Sequence, residues 1–416
     1  MKKILVCLLL VSLGMSLFAV PSAKSLFFAD SYMLRAGGVE ANYWNPALLT
    51  ANGPTDIWLP TLNSGIQLTN NALDLDTYNF FVTRDSLDAD DKERLLKDVD
   101  GSLAFGMDVN VSLFGITMGN TALSASAHVN GKGQLSEDFM RLALYGNTED
   151  EYLFNMSSNN ASAISYVDIT YGIGDLKIPF IPEDWPQIKA GASASLLTGA
   201  YFMETREFKL SFENNSDVGA NLDSELLLRT GKIGAGFKGM LGLFSEVTPW
   251  LDAGLTVDNI AGFIKWGVES KNHRFYATAD SVFVTDLEED LFDYDNYEED
   301  TDSFSTRLGT ELRLATMYKH RHFNLSADWV QGFTESTVSS KVGRLSLGAS
   351  LMPMPVLPIS LGISLPNSKN PLKVSYGIGL KVKTGEFNLA VQSFDSLIPG
   401  YNSKGISFGM ATKIGF

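Results

Sequence analysis

The chain is predicted to be all-β, an antiparallel transmembrane β-barrel of about 14 strands with a short plug-like segment at its N-terminus. Three observations carry that prediction. Apolar and small or polar residues alternate with period two along almost the whole sequence. After the first residues no apolar run approaches the roughly 20 residues that a bilayer helix needs, so any crossing must use strands, whose single lipid face dilutes hydropathy. The last residue, Phe416, is aromatic and closes an alternating stretch. The organisation that follows is an export signal over 1–23, a hatch-like segment over 24–56 and a barrel over 57–416.

The start of the chain has the composition of a signal peptide. Lys2 and Lys3 give a positive beginning, Ile4 to Phe18 an apolar centre, and Ala19 and Ala23 small residues suited to cleavage. The apolar centre is too short for a membrane anchor. Cys7, the single cysteine, lies inside it. The processed chain is therefore expected to lack thiols, which excludes thiol catalysis, Cys-ligated zinc and iron–sulfur chemistry.

The clearest strands come next. From Gly405 to Phe416, Ile406, Phe408, Met410, Thr412, Ile414 and Phe416 share one face, while Gly405, Ser407, Gly409, Ala411, Lys413 and Gly415 share the other. Residues 102–113, 232–243 and 372–383 alternate in the same way. Their second faces hold glycine, serine, asparagine and lysine, which would fill a dry core badly but suit a wet lumen. Weaker strands are expected at 164–173, 188–197, 251–260, 304–314, 323–330, 345–351, 359–365 and 387–391, with a first one near Ile57. Trp250, Trp266, Trp329 and Tyr401 fall near strand ends, where interfacial aromatic girdles sit.

Two segments break the alternation. Residues 88–99, DADDKERLLKDV, begin acidic, turn basic and place Leu95, Leu96 and Val99 on one stripe, predicting a short amphipathic helix. Residues 286–302 are dominated by aspartate and glutamate and are expected to form a solvated, mobile loop. The ordered spacing of a calcium loop is missing from them, so no metal is expected.

Between signal and barrel, residues 33–51 read MLRAGGVEANYWNPALLTA. The pair Gly37–Gly38 followed by Tyr43, Trp44, Asn45, Pro46 and Ala47 resembles the N-terminal motif of the FadL-like outer-membrane superfamily, which includes PorV- and TraF-like barrels. The resemblance implies a bacterial outer-membrane location, a terminal Phe416 read by the barrel-assembly machinery, and an N-terminal hatch. Physically, Asn-Pro favours a turn, because proline fixes its own φ and pushes the preceding residue out of the helical region. Tyr43, Trp44, Asn45 and Pro46 are the candidate ligand-binding or hatch residues.

Passive transport of hydrophobic or amphipathic molecules is the leading function these features suggest. The alternative is a barrel that docks a partner in protein secretion, with the acidic loop meeting a basic surface. Outer-membrane lipid, the assembly machinery, and hydrophobic small molecules or a secretion partner are the expected partners; no cofactor is implied. The histidines His128, His273, His320 and His322 match no recognised catalytic spacing, although His320 and His322 would share a face if both lay in a strand, so no enzyme is expected. A net charge of −16 disfavours nucleic acid, whose phosphates need clustered Lys and Arg.

Overall fold

A computed structural model describes residues 23–415 apart from 52, 54, 85–86, 100, 146–150, 155, 180–181, 183–184, 216–218, 283–292, 355, 368–369 and 384. The expected export signal, save Ala23, therefore lies outside the described residues, as does Phe416.

Period-two sequence becomes a closed antiparallel wall. Its first half holds β1 (Asp56–Trp58), β2 (Asn63–Asn70), β3 (Ser102–Met118), β4 (Thr121–Ser136), β5 (Glu151–Phe154), β6 (Asn160–Lys177), β7 (Ile188–Asn215), β8 (Gly219–Thr248) and β9 (Leu251–Val282). The second half holds β10 (Asp293–Asp300), β11 (Phe304–Arg307), β12 (Glu311–Lys319), β13 (Phe323–Gly332), β14 (Arg344–Met354), β15 (Leu357–Ser364), β16 (Lys373–Val382), β17 (Gly385–Phe394) and β18 (Gly405–Gly415). β1 and β2 both lie between β18 and β3 and form one interrupted stave. β5 continues β6 along β7, and β10, β11 and β12 all run along β9. The result is a barrel of 14 strands that closes between β18 and β2.

Two neighbouring rows across the wall show how its two sides differ. Ile66, Phe408, Val391, Tyr376 and Leu361 are successive cross-strand partners, and Ile66, Phe408 and Leu361 are exposed. One residue along, Gln67, Ser407, Gln392 and Ser375 pair in the same order, and each is at most 1% exposed. The apolar side therefore points out and the polar side in, the reverse of a soluble protein, as a membrane wall requires.

The two ends of the barrel differ. Connections at one end are tight, such as the two residues between β3 and β4 or between β8 and β9. At the other end lie the long connections, including the helices α2 (Leu75–Thr83), α3 (Ala89–Val99) and α4 (Glu137–Tyr145); α1 is the single turn Ala41–Trp44. α3 is the helix that its apolar stripe predicts. Leu95, Leu96 and Val99 pack with Leu103, Phe105, Met140 and Leu144 against the upper wall.

Several expectations need correction. β4 was not legible as a strand, because its outward residues Leu123, Ala125, Ala127 and Val129 are mostly small; β2 was likewise not separated from the strand near Ile57. Residues 304–314 divide into β11 and the start of β12. The described part of the acidic segment is not a loop: Asp293–Asp300 is a strand pairing with Thr278 to Lys271 of β9, and Lys271 bonds Glu298 across it at 2.8 Å. Residues 286–292 lie outside the described residues. Trp266 is no girdle residue. It is fully buried, stacked on Phe202, and its Nε1 donates to Thr306 Oγ1 at 3.0 Å. Trp250, Trp329 and Tyr401 are exposed as expected. His320 and His322 fall in the turn between β12 and β13 and not on a strand face.

Candidate functional site

Residues 23–49 run through the interior of the barrel, nearly all of them buried. The 3-10 helix Ala23–Phe28 lies against β14 to β18 and β2, and the turn Pro46–Leu48 against β6, β7 and β8 across the barrel. Small wall residues make room for it. A Cβ at Gly191 would overlap the Pro46–Ala47 backbone, and one at Gly242 would overlap the Asn45 amide. Gly38 has a φ of 64°, and a side chain there would meet Asp56.

Lumen-facing polar groups fix the segment at many points. Asp328 accepts from Met33 N and from Ser31 Oγ, both at 2.9 Å. Arg35 reaches Ser326 Oγ and Ser350 Oγ at 3.0 Å each. Gln392 donates to the Leu26 carbonyl at 3.1 Å, and Asn42 donates to Ser124 Oγ at 3.0 Å. Tyr32 donates to Glu40, a carboxyl that burial pushes up and that the nearby Lys24 partly offsets. Asp30 meets Lys373 at 3.0 Å and Arg344 at 3.4 Å. Burial alone would raise the Asp30 carboxyl, but these cations outweigh it and hold it at about 2.

The four residues singled out from the sequence divide into two pairs. Asn45 has the extended backbone expected before proline, accepts from Ala47 N at 3.1 Å and donates to the Leu243 carbonyl at 3.0 Å. With Pro46 it forms a turn against the wall. Tyr43 and Trp44 instead line a cavity of about 90 Å³. Tyr43 donates to Asp168 at 2.9 Å, and Trp44 meets the Tyr32 ring edge-on at 5.4 Å.

The cavity has a floor and a roof. Asp30, Tyr43 and Trp44 belong to the N-terminal segment, while Ser339 and Ser340 belong to the connection between β13 and β14. That connection folds inward far enough for Lys132 of β4 to donate to the Ser336 carbonyl at 2.8 Å. Between them the wall supplies Lys238, Asp258, Glu311 and Arg313. The Arg313 guanidinium lies 4.2 Å over the Trp44 ring. These charged residues escaped the sequence reading. Their signal was a charge on the lumen side of an alternating strand, as with Lys238 beside Gly234 and Gly236.

His128 also borders the cavity, but both ring nitrogens are occupied. Asn110 bonds Nδ1 at 3.0 Å and Asp168 bonds Nε2 at 2.9 Å. An amide donating to Nδ1 puts the proton on Nε2, aimed at Asp168. The ring therefore braces the wall and Tyr43 and does not face a nucleophile.

Against this geometry, known proteins add the following. A family model described as a family of unknown function, DUF5723, matches residues 46–239. No curated protein matches. The toluene transporter TodX of P. putida has a similar structure, with a TM-score of 0.51 and 11% identity, over 97% of this chain and 99% of that one. A FadL homologue of Pseudomonas aeruginosa gives a TM-score of 0.50 and 11% identity over 96% and 100%. At this identity the likeness is one of fold. It agrees with the FadL-like part of the resemblance seen in residues 33–51, and nothing found supports the PorV- and TraF-like part.

Proposed function

We propose that this chain is an outer-membrane β-barrel that admits small amphipathic molecules passively, with residues 24–56 acting as its hatch. The observation that carries the reading is a lipid-suited wall closed around a buried N-terminal segment that leaves one lined chamber between itself and an inward loop. The structural neighbours, described as a toluene transporter and a FadL homologue, support a transport role on this fold. Lys238, Asp258, Glu311 and Arg313 favour cargo with a polar end over a pure hydrocarbon, since an apolar molecule would strand those charges. Nothing found supports the secretion-docking alternative.

The closeness of Ser31 and Ser326, whose hydroxyls are 2.8 Å apart, supplies a test. The only other cysteine, Cys7, lies in the expected export signal. The double variant S31C/S326C can therefore pin the segment to the wall by a disulfide. Reconstituted in liposomes, it should pass small amphipathic solutes when reduced and be blocked when oxidised. Equal flux in both states would remove the hatch role, and flux no greater than in protein-free liposomes would remove transport.

A further inference from the structure

We propose that the chamber above Trp44 is a binding site for the polar end of a small carboxylate that carries a hydrogen-bond donor of its own, an amino or hydroxy acid. This names the solute class of the channel and rests on that reading for its role in uptake, though not for the binding itself.

Among the polar groups open at this chamber, Ser339 Oγ with them, two have a fixed and opposite hydrogen-bonding sense. Arg313 Nη1 is enclosed and has no hydrogen-bond partner among the described residues. Asn370 is 2% exposed, its amide nitrogen is engaged by Asn367 at 2.8 Å, and its Oδ1 has no partner among the described residues. A buried donor on a cation and a buried amide acceptor are both costly to leave unmade. Two neighbouring groups are already committed: Asp30 to Lys373 and Arg344, His128 to Asn110 and Asp168.

The two open groups specify a ligand. A guanidinium backed by an aromatic face keeps its N–H edge for a planar carboxylate, which accepts two parallel bonds. Asn370 Oδ1 asks for an N–H or O–H. An amino or hydroxy acid supplies both; a simple carboxylate supplies one and a hydrocarbon neither. A cavity of about 90 Å³ has room for several waters, which limits the bound part to a few heavy atoms. Lys238 adds positive charge for the carboxylate, and Asp258 and Glu311 add negative charge for an ammonium.

The test is equilibrium binding to the full chain folded in detergent, followed by calorimetry with lactate, glycine, propionate and toluene as probes. Lactate and glycine should bind saturably, propionate about tenfold more weakly for want of one hydrogen bond, and toluene without dependence on Arg313. R313Q should abolish lactate binding and R313K retain part of it, each variant showing the heat-modifiable gel migration of a folded barrel. N370A should erase the preference for lactate over propionate while leaving propionate unchanged. The proposal is overturned by lactate binding that R313Q leaves intact, by a lactate preference that survives N370A, or by no saturable binding of any carboxylate, which would mean the chamber holds water only. No membrane is involved, so binding without flux would sink the transport reading alone, and flux without binding would sink this one alone.

Discussion

At the scale of single residues, the interior is governed by charge compensation. Trp44 was legible from its motif, but the chemistry around it was not, because Arg313, Lys238 and Asp30 come together only when β12, β8 and the N-terminal segment meet across the lumen. Asp30 illustrates the energetics. Its carboxyl is held at about 2 against an ordinary 3.8, so it binds fewer protons in the folded state than in the unfolded one near pH 3. Its contribution to stability is complete above about pH 4 and is lost as the pH falls through that window toward about 2. In an acid titration followed by tryptophan emission, wild-type protein should lose stability across this window and D30N should show a flatter profile there. Identical acid profiles for the two proteins would mean that the pairing with Lys373 and Arg344 contributes nothing.

At the scale of elements, local pattern sufficed wherever one face of an element was strongly apolar. α3 was readable because Leu95, Leu96 and Val99 fall on one stripe, and β18 because Ile406, Phe408 and Met410 alternate with glycine and serine. β4 was not readable, since its outward alanines barely differ from its inward serines. β10 misled for a different reason: a run of acids reads as solvated, yet it gains its partners from Lys271 and the β9 backbone, which no local window contains. The N-terminal segment is held by bonds from nearly every side of the barrel. Hydrogen bonds to charged groups contribute roughly 1.5 to 3 kcal/mol each, so losing Asp328, Asp168 and Asp30 together would disfavour wholesale exit, and a local movement is the cheaper way to open a path. α3 can be examined separately. Leu96 is 4% exposed, and L96A should cost about 2 to 5 kcal/mol of local packing. Hydrogen–deuterium exchange should speed up over 89–99 while β3 stays protected; unchanged exchange in the helix would show that it does not depend on the cluster with Phe105 and Met140.

At the scale of the whole molecule, the sequence revealed a barrel because closure leaves no unpaired backbone edge, and a wall between lipid and water must alternate residue by residue. Strand number was close to readable, whereas the filling of the lumen was not, since it depends on which wall residues are small enough to admit the N-terminal segment. The same division between faces gives the last prediction. Leu389 is 47% exposed at the middle of β17, with Ile378 and Met410 as its cross-strand partners, so its side chain should lie in hydrocarbon. An arginine there costs about 2 to 4 kcal/mol at the midplane, and near zero to 1 kcal/mol at the interface. L389R should therefore lower the folded fraction on refolding into liposomes, scored by heat-modifiable gel migration. Y401R, in the connection between β17 and β18, should fold like the parent. If L389R folds as well as Y401R, the outward apolar belt does not face lipid, and the reading of this barrel as a membrane wall fails with it.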